Sequence, residues 1–97
     1  MTDSPRRQVR RDDDRSRYEL LEDGSVIGYA DFRAGEDAVV LPHTVIERSR
    51  RGNGLGAELV RGALDDLRRR GQQVVPSCWY VAEFIDGHPD YADLLAA

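Results

Sequence analysis

Between Thr2 and Arg17 the only aliphatic residue is Val9; from Tyr18 onward apolar residues arrive in short, regularly spaced groups. Residues 1–17 hold six arginines and four aspartates, too little apolar surface to offset chain entropy, and are expected to form a disordered tail. Tyr18-Glu19-Leu20-Leu21 then reads as a strand, with hairpin-turn chemistry at Glu22-Asp23-Gly24-Ser25. A second strand is expected from Val26 to about Phe32, and a turn at Ala34-Gly35-Glu36-Asp37. The third runs from Ala38 to Ile46, apolar enough to be covered on both faces, with a bulge or unpaired stretch at Pro42.

The period then changes. Leu55, Leu59, Val60, Ala63, Leu64 and Leu67 recur at helical spacing, with Glu58, Arg61, Asp65 and Arg68 opposite. Arg68 to Arg70 suit the negative end of the helix dipole, and Gly71 is a natural stop. Val74-Val75-Pro76 is a short strand, parallel to the third because a helix joins them. A second helix is expected from Trp79 to Asp86, ending at Gly87, and a short third one from Pro89 to Leu95. Three antiparallel strands, a helix, a parallel strand and a helical tail make an α+β domain over residues 18–97.

Composition narrows the candidates. At 97 residues, with 40% hydrophobic and 33% charged positions, the chain is one small globular domain burying roughly 60–65% of its unfolded surface. A net charge of −4 gives no general reason to expect nucleic acid as a partner, and Asp12-Asp13-Asp14 weakens the tail arginines as a nucleic-acid arm. Cys78 is the only cysteine, so neither an intramolecular disulfide nor a cysteine-based zinc site can form, and His88 has no neighbouring ligand. No apolar run approaches a membrane span and no apolar signal core is present, so a cytoplasmic protein is expected.

The most informative segment is Arg51-Gly52-Asn53-Gly54-Leu55-Gly56. Its glycines lie between an apolar strand and a helix start, where free N–H groups and the helix dipole favour an anion. A Walker loop needs a lysine, but all fourteen basic residues are arginine. Gly52 to Ala57 formally fits the dinucleotide fingerprint, yet a polar spacer separates it from its strand. No acid follows between Gly71 and Cys78, and the chain is too short for a doubly wound sheet. The segment could also be only a tight turn entering a helix, although Leu55 between glycines is expected to pack inward.

Arg51, Gly54 and Gly56 also satisfy R/Q-x-x-G-x-G/A, the acetyl-CoA pyrophosphate loop of the GNAT superfamily. With His43-Thr44-Val45 before it, and Val75-Pro76-Ser77-Cys78-Trp79-Tyr80-Val81 and His88-Pro89-Asp90-Tyr91 after it, the chain resembles a small single-domain GNAT-like N-acetyltransferase family from about residue 18 to 95. The resemblance implies a reduced GNAT fold, essentially the acetyl-CoA-binding core. It implies pyrophosphate on the main chain of Gly52, Asn53, Gly54, Leu55 and Gly56. The pantetheine arm would run between Val45 and Ile46 on one strand and Val74 to Pro76 on the other. It implies further that the first strand and the helices of the usual acceptor pocket are missing, leaving a site open to an amine, on a protein or free.

The same resemblance marks Cys78 and His43 as a catalytic pair, with Cys78 accepting the acetyl group transiently or a direct attack proceeding instead, and His43 as base or activator of the thiol. Tyr80 is the corresponding candidate to protonate the departing thiolate. Residue type alone leaves Cys78 readable as a small buried hydrophobe and His43 as a hydrogen-bonded core histidine. Acetyl transfer to a primary amine is the expected activity. The alternative is a CoA-binding or sensing module without catalysis.

Overall fold

A computed structural model describes residues 6–96 of the chain. Its elements are β1 (Arg7–Asp12), β2 (Arg17–Glu22), β3 (Ser25–Asp31), β4 (Arg33–Ala34), β5 (Ala38–Val40) and β6 (Thr44–Ile46), then α1 (Leu55–Arg69), β7 (Gln73–Val75) and α2 (Trp79–Asp86). Single 3-10 segments cover Arg48–Arg50 and Pro89–Leu94. The strands form two sheets, an antiparallel one in the order β1-β2-β3-β6 and a smaller one in the order β4-β5-β7, in which β5 and β7 are parallel. One core lies between the sheets and α1, built from Tyr18, Leu20, Ala30, Val39, Leu41 and the helix residues Leu55, Leu59, Val60, Ala63, Leu64 and Leu67.

The helix follows its sequence pattern: the six apolar positions at helical spacing are its six buried residues. Gly71, at a φ of 70°, ends it in the left-handed region that only glycine enters without strain. The third apolar run does not form one strand. Leu41 N–H donates to Val75 O (3.0 Å), while Asp31 N–H donates to His43 O (3.1 Å). The residue between them, Pro42, has no N–H to give to either sheet. The chain therefore leaves the small sheet at Leu41 and enters the large one at His43.

Residues 7–12 correct the expectation of a tail disordered to residue 17; residues 1–5 of that segment lie outside the described residues. β1 pairs along its whole length with β2, from Arg7 opposite Glu22 to Asp12 opposite Arg17. The pairing is carried by charge. Arg10 reaches Glu19 at 2.7 Å and Arg7 reaches Glu22 at 3.3 Å, and both acids are almost fully buried. The Arg10 guanidinium, then Arg17 beside it, holds the Glu19 carboxyl below its ordinary range. Val9 shares its face of the strand with Arg7, and its methyls lie against α1 where Gly62 has no side chain. The first strand that the resemblance implied to be missing is present; the turn Asp13–Ser16 stands between β1 and β2 in place of helices.

Candidate functional site

Beyond Val40 and Val75 the two sheets part, and β6 diverges from the segment that follows β7. An open cleft of about 680 Å³ occupies the gap. Val45 and Ile46 form one wall and Ser77 and Cys78 the other, with Arg51, Gly52, Gly54, Leu55 and Gly56 across one end. The opposing wall lies just past the expected Val74 to Pro76, because Val74 and Val75 are still paired with β5.

Backbone polarity follows from the register. In an antiparallel pair, alternate residues bond the neighbour while the others point their N–H and C=O away. His43 and Glu47 exchange bonds with β3, through His43 O and Glu47 N–H. Thr44 and Ile46 therefore turn their backbone groups to the cleft, and Ile46 O accepts from Arg51 Nε at 3.0 Å. The glycine turn continues this polar edge. Gly52 and Gly54 have φ values of 86° and 73°, and a Cβ built on either meets nothing within 4 Å. Among the described residues no protein acceptor takes the N–H of Gly52, Asn53 or Gly54. Gly54 is the N-cap of α1, whose first amides have no partner within the helix. Asn53 does not line the cleft; its side-chain amide donates to Arg50 O at 3.1 Å and braces the loop. Arg50 does line it, and is tied to Glu22, which also holds Arg7.

The predicted pair falls on one cleft without touching. Cys78 is buried, its amide donating to Leu41 O at 2.9 Å and its Sγ lying 3.9 Å from Thr44 Oγ1. His43 turns instead to the sheet face that carries Tyr29 and Asp31, with Nε2 2.5 Å from Asp31 Oδ2. Its ring meets that of Tyr29 edge-on, centroids 6.4 Å apart. Tyr80 leans across α2 toward α1: a Cβ on Gly56 would stand 2.6 Å from the Tyr80 hydroxyl. Burial, then the nearby Glu83 carboxylate, raises the Tyr80 phenol above its ordinary range, so it keeps its proton in neutral solution. Trp79 stands at the rim, 73% exposed.

Sequence reasoning passed over three lining or supporting residues. Thr44 and Arg50 adjoin assigned positions but carry no signal of their own, and Asp31 has no local signal because only the β3–β6 register brings it to His43. Among the described residues no group of histidine, cysteine and acid side chains is arranged to hold a metal, and no helix is long and apolar enough to cross a membrane.

Strands that part beside a glycine loop at a helix N-terminus define the acyl-CoA N-acyltransferase class of fold. The solved structures that share it include two. One is a GCN5-like protein from Staphylococcus aureus (TM-score 0.69, 13% identity, 93% of this chain and 88% of that one). The other is ribosomal-protein-alanine N-acetyltransferase from Brucella melitensis biovar Abortus 2308 (TM-score 0.56, 23% identity, 84% of this chain and 61% of that one). No curated protein sequence matches the chain. The family model for GCN5-related N-acetyltransferases matches residues 17–94, and the chain belongs to that family.

Proposed function

We propose that the protein transfers the acetyl group of acetyl-CoA to a primary amine. The observation that carries the reading is the cleft itself, an unpaired strand edge that runs into a cradle of free amides flanked by Arg50 and Arg51. The residues fit such a donor. The amides of Gly52 to Gly56 and the α1 dipole would take the pyrophosphate, and the outward groups of Thr44 and Ile46 would bond the pantetheine amides. With Asp13–Ser16 as the whole connection between β1 and β2, nothing there builds an acceptor pocket, which suits an amine displayed on a protein.

The chemistry asked of the chain is modest. His43 takes a proton from the attacking amine as its nitrogen bonds the thioester carbon. The carbon–sulfur bond then breaks, and the departing thiolate takes a proton from the water that the open cleft admits, the Tyr80 phenol lying instead against Gly56 at the cradle end. Cys78 lines the thioester end. In this direct reaction it shapes the cleft, and in the two-step alternative it carries the acetyl group in transit.

One experiment separates these readings. CoA binding is measured by calorimetry, and thiol release from acetyl-CoA is followed with a panel of amines and amine-bearing peptides. Binding with amine-dependent release supports the transferase; His43→Ala is expected to lose turnover and keep CoA affinity. Cys78→Ala retaining turnover supports direct attack, whereas an acetylated Cys78 seen by mass spectrometry supports the two-step route. Binding without release from any amine leaves a CoA-sensing module, and absence of binding refutes the assignment.

A further inference from the structure

We infer that Asp31 is a positioning residue that fixes the tautomer and aim of His43. The inference rests on the proposed role of His43 as proton acceptor. A neutral imidazole has one bare nitrogen and one bearing hydrogen, and the hydrogen bond made by one ring nitrogen decides which is which. His43 Nε2 lies 2.5 Å from Asp31 Oδ2. An ionised carboxylate can only accept, so Nε2 carries the hydrogen and the lone pair is on Nδ1.

The placement is built into the sheet rather than left to two flexible side chains. Asp31 N–H donates to His43 O at 3.1 Å, so both Cα atoms are held by the β3–β6 ladder. Tyr29 bounds the imidazole on the same face, and the Arg17 guanidinium lies 4.5 Å over the Tyr29 ring. Arg17 is itself held by buried Glu19 at 2.8 Å. The Asp31–His43 pair is half exposed, a setting in which an ion pair contributes little stability. Its consequence is orientation.

His88 provides an internal contrast. Its Nδ1 lies 2.7 Å from Phe84 O, an acceptor only, so the hydrogen is on Nδ1. The protein's two histidines are therefore expected in opposite tautomers.

The test has a spectroscopic arm and a kinetic arm, both on the full chain. Long-range nitrogen–proton correlation spectra in alkaline solution are expected to show hydrogen on Nε2 of His43 and on Nδ1 of His88. Asp31→Ala should leave His88 unchanged and turn His43 into a mixture; Asp31→Asn, whose amide oxygen still accepts, should restore the wild-type form. Kinetically, Asp31→Ala is expected to lower kcat by roughly tenfold to a hundredfold without changing the KM for acetyl-CoA, with Asp31→Asn recovering part of the loss. Asp31→Ala added to His43→Ala should cost nothing further, since the two act as one unit. A His43 tautomer indifferent to Asp31→Ala, or additive losses, overturns the inference. If the tautomer responds but His43→Ala turns over at the wild-type rate, the proton-acceptor reading has failed and the catalytic role of Asp31 falls with it.

Discussion

Replacing Gly62 with alanine tests the seating of β1 by the sign of the result. Gly62 lies inside α1, where alanine ordinarily stabilises a helix by about 1 kcal/mol over glycine. Here the added Cβ would fall 2.5 Å from Val9 Cγ2, 2.6 Å from its Cβ and 3.0 Å from its Cγ1. Carbon atoms rest at about 3.5–4.0 Å, so the strand must back away by roughly 1 Å. A branched side chain offers no rotamer that moves its own Cβ. Overpacking of this kind costs about 1–3 kcal/mol. Set against the helix gain, Gly62→Ala is expected to lose about 1 kcal/mol, lowering Tm by roughly 4–8 °C in a domain of this size. In a Val9→Gly background the obstruction is gone, and the same change should stabilise by about 1 kcal/mol. Thermal and urea unfolding of the two single variants and the double variant, followed by circular dichroism, measure the coupling. A Tm that rises for Gly62→Ala in the otherwise wild-type chain would refute the packing of β1 on α1.

Two further outcomes are expected. Burial, then a hydrogen bond to Asp66, raises Tyr18 to about 12 from an ordinary 10, against the opposing pull of Arg11. The folded state thus holds this proton more tightly than the unfolded one, a contribution present in full below pH 10 and lost as pH rises toward 12. Urea unfolding at successive pH values should show a decline over that window that is smaller by about 2–3 kcal/mol in Tyr18→Phe, the raised Tyr80 and Tyr91 accounting for what remains. Glu22 ties Arg50 at the cleft to Arg7 of β1, while Arg7 keeps a second partner in Glu58 at 3.0 Å. Glu22→Ala should therefore loosen Arg50 more than β1 and weaken CoA binding about three- to tenfold by calorimetry; unchanged affinity would remove Arg50 from the phosphate site.

What the sequence disclosed depended on which force makes each element. α1 is held by an apolar stripe, and its stripe is visible at a period of 3.6 residues. β2, β3 and β7 likewise announce themselves by apolar runs between turns. β1 does not, because its partners are carboxylates: Arg7 and Arg10 read as solvated tail until Glu22 and Glu19 are seen beneath them. Its one apolar anchor, Val9, counts only because Gly62 leaves room for it. Pro42 signalled an interruption, but not that the interruption would divide one apolar run between two sheets. The glycine loop was legible because a left-handed turn before a helix needs glycine. Asp31 was not, since eleven residues separate it from His43 and only the ladder between them makes them neighbours.

The brevity of the strand edges has a consequence for life at high concentration. A cleft whose strand edge leaves backbone groups unpaired is also an invitation to another chain, which could add itself as an extra strand and start a fibre. This protein offers little to such a visitor. β6 is three residues long and begins after a proline, β4 is two residues long, and β1, the other border of the large sheet, is lined with arginine. A visitor would find too few donors in a row, or long side chains already committed to ion pairs within the sheet. Short edges leave the cleft open while giving a second chain little to pair with.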